Sequence, residues 1–123
     1  MNPTLLLQTS AWLLAVTAAG GLIMAFIRFG RQGLNPPAWL AMLHGFLAAA
    51  GLTLLAFAAL TVGIPGIALA GLALLLVAAG GGVLMNLGYQ LKDVPLPKWL
   101  VGVHAALAVV GFAMVVLAAL EAR

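Results

Sequence analysis

Apolar positions run along this chain almost without interruption, and the charged ones gather in three places. They are Arg28 and Arg31; Lys92, Asp93 and Lys98; and Glu121 and Arg123. Between Arg31 and Lys92 there is no formal charge at all. A helix needs roughly 20 apolar residues, each rising about 1.5 Å, to cross the hydrocarbon of a bilayer. That uncharged stretch therefore holds two helices, divided by the turn signal of Gly63, Pro65 and Gly66. The whole chain predicts four spans at about 5–27, 38–60, 66–88 and 97–120. The expected fold is all-α, an integral membrane four-helix bundle forming a single transmembrane domain over residues 1–123.

Composition agrees with the pattern and narrows the function. Of the 123 residues, 66 % are apolar and 6 % charged, with mean hydropathy +1.27. Soluble domains carry about 25 % charged residues, so these proportions exclude a cytosolic globular enzyme, a disordered tail and a nucleic-acid binder. Zero cysteines exclude disulfides, thiolate metal sites, iron–sulfur clusters and covalent haem attachment. The first span does not read as a signal peptide, because its positive charge follows the apolar run instead of preceding it. Arg28, Arg31, Lys92 and Lys98 all lie in the 1–2 and 3–4 loops. The positive-inside rule then puts those loops in the cytoplasm and both termini outside, in a bacterial inner membrane. Trp39 and Trp99 fall where an interfacial aromatic belt belongs, each behind a proline (Pro37, Pro97) suited to a first helical turn.

Shifting the chain by sixty residues lays repeat one (1–60) on repeat two (61–120) without a gap. Pro37, Trp39, Leu40 and His44 fall on Pro97, Trp99, Leu100 and His104. Gly51 falls on Gly111, and Leu14, Ala18 and Gly21 on Leu74, Ala78 and Gly81. Pro, Trp and His are rare letters in an apolar chain, so their common spacing points to duplication. Two spans per half give both halves one orientation, related by a pseudo-twofold axis along the membrane normal.

His44 and His104 are the chain's two histidines, and the ionisable side chains well inside the spans. Each follows its proline by seven residues, or about 10 Å of helix. A lone membrane histidine is most often neutral and bonded to a backbone carbonyl. Here the axis brings two imidazoles together at one depth, as the axial positions of a six-coordinate haem iron require. Gly20, Gly21, Gly80 and Gly81 share that depth, with Gly51 and Gly111 one heptad on, and would leave a slot for a flat porphyrin. Close helix packing is the alternative use of such small residues. Arg28, Arg31 and Lys98 lie nearest the histidines and would anchor propionates, beyond their role in setting topology.

In these residues, Trp39 with His44, Trp99 with His104, and Gly51 with Gly111, the chain resembles the b-type membrane cytochromes, including cytochrome b561-like proteins. The resemblance implies a four-helix bundle in which transmembrane histidines from two helices hold non-covalent haem b. Proteins of that type carry two histidine pairs and two haems; this chain has one pair. The expectation is one-electron transfer near the cytoplasmic leaflet, with a quinone or a redox protein as partner and a homodimer as one way to lengthen the path. Whether it also acts as an enzyme stays open. The rival is a non-redox scaffold, assembly factor or channel subunit whose histidines are structural. No Asp or Glu lies within a span, which disfavours proton-coupled carriers. The methionines (Met1, Met24, Met42, Met85, Met114) do not match across the repeat and read as packing rather than copper ligands.

Overall fold

The computed structural model describes residues 1–30 and 33–122. It is helical throughout: α1 (Pro3–Gly30), α2 (Ala38–Thr61), α3 (Gly66–Gly88) and α4 (Lys98–Glu121), with a short 3₁₀ turn at Gln90–Lys92. All four helices are long and apolar enough to cross a membrane. The expected spans agree with these bounds except at α1, which is longer at both ends. Asn2 Oδ1 accepts the Leu5 N–H at 3.2 Å, capping a helix whose first residue is Pro3.

Proline precedes each of the other three helices, and Pro37 and Pro97 sit one position before the first helical turn expected of them. Pro37, Pro65 and Pro97 are the N-caps, with φ of −59°, −56° and −61°. Each proline carbonyl takes the first helical N–H bonds, as at Leu40 and Leu100 (3.1 Å each) and Leu69 (3.0 Å). The residue's missing donor costs nothing there, since a helix start has donors to spare. Between α2 and α3 the chain reverses on Gly63, at φ +77°, whose N–H reaches back to Ala58 O at 3.0 Å.

Packing is tightest within the hairpins α1–α2 and α3–α4, and α1–α4 and α2–α3 contacts close the cycle, as in a four-helix bundle. The two histidine-bearing helices, α2 and α4, therefore lie across a diagonal. The main core, with Leu14, Leu55, Leu75, Val115 and Ala118, fills the end of the bundle nearer the termini. A smaller cluster of Met85, Leu96, Leu100 and Val101 sits under the loop joining α3 to α4.

The glycines one heptad from the histidines bring the helices of each hairpin together. A Cβ on Gly71 would lie 2.7 Å from Gly111 O, and one on Gly111 would lie 2.9 Å from Gly71 O. Gly51 is pressed against Leu14, with its Cβ position 3.0 Å from Leu14 Cγ. Gly51 and Gly111 thus serve close helix packing, the alternative use of such small residues.

These contacts also revise the register of the comparison between halves. Gly51 meets Leu13 and Leu14, whereas Gly111 meets Leu74 and Leu75. The buried positions Leu7, Ser10, Leu14 and Thr17 of α1 correspond to Ala68, Gly71, Leu75 and Ala78 of α3. Those of α2, Gly51, Leu55 and Ala58, correspond to Gly111, Val115 and Ala118 of α4. Equivalent packing therefore runs at a shift of sixty-one between α1 and α3 and sixty between α2 and α4. The second basic loop is one residue shorter, so the alignment needs a gap. In that register Met24 does fall on Met85.

The Gly71–Gly111 crossing is backbone against backbone, so neither partner can turn aside. Gly71→Ala and Gly111→Ala should each destabilise the protein by about 1–3 kcal/mol, the usual cost of overpacking. Gly102→Ala, where an added Cβ meets nothing within 4 Å, should be neutral or slightly stabilising through helix propensity. Thermal unfolding in detergent, followed by circular dichroism, measures all three.

Candidate functional site

His44 and His104 face each other across the bundle diagonal, their ring centroids 6.2 Å apart and their planes at 68°. Each ring is held by the first helix of its own hairpin. His44 Nδ1 lies 2.9 Å from Thr17 O, and His104 Nδ1 lies 2.7 Å from Ala78 O. A carbonyl oxygen only accepts, so Nδ1 must carry the proton in both rings and donate it. The lone pair of each neutral imidazole is then on Nε2. Cε1 alone separates the two nitrogens, and it is this edge of the His44 ring that lies against Gly21 of α1. Among the described residues neither Nε2 has a hydrogen-bond partner.

The glycines at this depth explain how an imidazole reaches a carbonyl that a helix already uses. A helical side chain covers the turn before its own Cα, so residue 21 would normally shield Thr17 O and residue 82 would shield Ala78 O. Both are glycine. A Cβ on Gly21 would lie 3.0 Å from His44 Cε1, and one on Gly82 would lie 3.3 Å from His104 Cε1. Gly20 and Gly81 flank the same rings at 4.0 and 3.9 Å. Gly80 has nothing within 4 Å of its Cβ position and does not touch either ring. Gly81 and Gly82 are the glycines of α3 that lie against His104.

Burial changes at this level. Leu55 and Val115 in the core are fully buried, at 0 % exposure. The inward-facing residues around the rings, Gly21, His44, Leu47, Gly82, His104 and Leu107, are only half-buried. No large side chain from α1 or α3 fills the layer, because Thr17–Gly21 and Ala78–Gly82 are all small residues.

Of the three expected cations, the structure takes in one. Arg28 is 7 % exposed, and its Nε donates to Leu96 O at 2.8 Å. Lys98 is exposed at the start of α4, and Arg31 lies outside the described residues. Around Arg28 the two basic loops are clasped together. Asn35 Nδ2 donates to Val94 O (2.8 Å), Asn35 Oδ1 accepts from Leu96 N (2.9 Å), and Gln90 Nε2 donates to Pro36 O (2.7 Å). The sequence reading did not single out Asn35 or assign Gln90 a partner. The available signal was a polar residue ahead of a double proline, where backbone donors are scarce.

Among the described residues no group of three or more His, Cys, Asp or Glu side chains could hold a metal ion. A bare zinc ion takes about four protein ligands, so the pair alone does not suit one. Haem iron draws four ligands from its porphyrin and asks the protein for one or two. With imidazole nitrogen about 2 Å from a metal and the ring centre about 1 Å beyond, two rings on opposite sides of one ion stand about 6 Å apart. Two neutral imidazoles about that far apart, each with a free Nε2, suit that group in their donor chemistry. No protein-family model matches the chain, and no curated protein or solved structure matches it.

Nitrogen-15 NMR of the side chains should find both histidines as the Nδ1–H tautomer. Gly21→Val should disturb the His44 signals and Gly82→Val those of His104, each leaving the other ring unchanged. Gly80→Val should disturb neither.

Proposed function

We propose that the chain is a small membrane cytochrome b in which His44 and His104 are the axial ligands of one haem. The observation that supports this best is the pair itself. Two rings 6.2 Å apart each have Nδ1 tied to a backbone carbonyl, and so offer Nε2 to a shared partner. When bound, the haem supplies reversible one-electron chemistry, and two protein ligands on one iron leave no open position for O2. The residues of this chain do the rest: Thr17 O and Ala78 O orient the ligands and raise their basicity, and Gly21 and Gly82 admit the rings.

In this reading the four helices span a bacterial inner membrane, with the basic loops cytoplasmic and the termini outside. The two hairpins are duplicated copies, and the pair lies in the cytoplasmic half of the bilayer. A quinone or a soluble redox protein would exchange the electron there, and a second copy of the chain would extend the route. A second reading rests on the same hydrogen bonds. Each imidazole is already satisfied at one nitrogen, as a structural histidine in a scaffold, assembly factor or channel subunit would be.

Absorption spectra of the detergent-purified protein, oxidised and then dithionite-reduced, separate the two. The cytochrome reading expects a Soret band that shifts on reduction, with sharp low-spin visible bands. His44→Ala or His104→Ala should abolish six-coordinate binding, while Met42→Leu should change nothing. A colourless protein that takes up no added haem overturns the reading. His44→Ala would then cost stability alone, about 0.6 kcal/mol by the average for membrane hydrogen bonds.

A further inference from the structure

Arg28 ends α1 in an unusual condition. It is 7 % exposed, and beyond the single bond from Nε to Leu96 O its Nη1 is buried without a partner among the described residues. A buried guanidinium is strongly disfavoured unless paired. The α1 C-terminus, whose last carbonyls lack helical donors, offsets part of that charge and leaves Nη1 unbonded. The chain has two carboxylate side chains, Asp93 and Glu121. Both are exposed, and neither bonds Nη1. The buried acceptors Gln90 Oε1 and Asn86 Oδ1 are unpartnered too, so neither lies within hydrogen-bond distance of it.

The clasp keeps this charge from swinging out to solvent, as an arginine near a membrane surface otherwise does. Leu96, whose carbonyl holds Nε, is itself held by Asn35, and Asn35 also binds Val94 O. Nη1 lies 3.9 Å from the Cβ position of Gly33, an exposed residue, so the free donor is one residue's thickness beneath the loop surface. What is missing is a negatively charged acceptor, and none of the described residues provides one.

We infer that Arg28 anchors an oxyanion-binding site at the basic end of the bundle, its Nη1 bonding a carboxylate or phosphate oxygen. A guanidinium suits both through short charge-assisted bonds. The oxyanion has two sources: the phosphate of an anionic lipid in the surrounding leaflet, or a carboxylate of the haem proposed above. Only the second rests on that proposal.

The test uses the full chain, wild type and Arg28→Met. In detergent without oxyanions, Arg28→Met should melt at or above the wild-type temperature, since it removes an unpaired charge. Inorganic phosphate should raise the wild-type melting temperature and leave Arg28→Met unmoved. A lipid source is indicated if the wild type is stabilised in phosphatidylglycerol nanodiscs over phosphatidylcholine ones. A haem source is indicated if the wild type binds haem at least tenfold more tightly than its dimethyl ester and Arg28→Met does not discriminate. The proposal is overturned if phosphate fails to stabilise the wild type, or if Arg28→Met responds equally; should Arg28→Met not fold, the wild-type phosphate shift decides alone. A colourless protein removes only the haem arm, because the phosphate and lipid arms need no haem.

Discussion

An imidazole bonded to a backbone carbonyl of a neighbouring helix is the constraint around which this bundle is arranged. In an apolar surrounding a ring N–H left without an acceptor is costly, and the acceptors at hand are helical carbonyls already engaged along their own axis. A carbonyl has a second lone pair, but the side chain four residues on normally covers it. Placing glycine there uncovers Thr17 O and Ala78 O. It also brings α1 against α2, and α3 against α4, at the depth of the rings. Each hairpin thus has one polar interaction that fixes its register, in a chain where Leu and Ala alone would slide.

The rest of the molecule is layered about that interaction. Towards the termini the helices close on a dry core, with Gly71 and Gly111 crossing backbone to backbone. Towards the loops Asn35, Gln90 and Arg28 tie the two connections together. Between these ends the bundle is looser, and the inward-facing residues are half-buried. The two ends are held together differently, one through apolar packing and the other through side chains bonding loop carbonyls. The histidine layer can therefore remain open without the hairpins separating.

Much of this was legible in the residues, because the signals were local. Uninterrupted apolar runs and the prolines Pro37, Pro65 and Pro97 placed the four helices nearly where they lie. The equal distance from proline to histidine placed both rings at one depth. What the residues hid depends on how one helix faces another. A single residue of register between α1 and α3 decides whether Gly80 or Gly82 meets His104, and a run of three glycines looks alike in either setting. The glycines were read as space for a ligand, whereas Gly21 and Gly82 touch the rings themselves. Arg28 and Lys98 are both cations at a helix end. Only tertiary contact distinguishes Arg28, drawn in by Leu96 O, from Lys98, which points outward.

The one-residue difference between halves bears on what the site is for. If the histidines served only to pin each hairpin, one nitrogen apiece would suffice and the rings could lie anywhere along their helices. A shorter second loop would then have let His104 drift relative to His44. In the structure Gly81 and Gly82 meet His104 as Gly20 and Gly21 meet His44, an offset of sixty-one, while the buried positions of α2 and α4 are offset by sixty. What stays constant is the relation of one ring to the other across the diagonal. Each ring also retains an Nε2 without a hydrogen-bond partner among the described residues. Two features are left over from the packing of the hairpins, the meeting of the rings across the diagonal and a nitrogen on each without a partner. The shared partner proposed for the two rings would account for both.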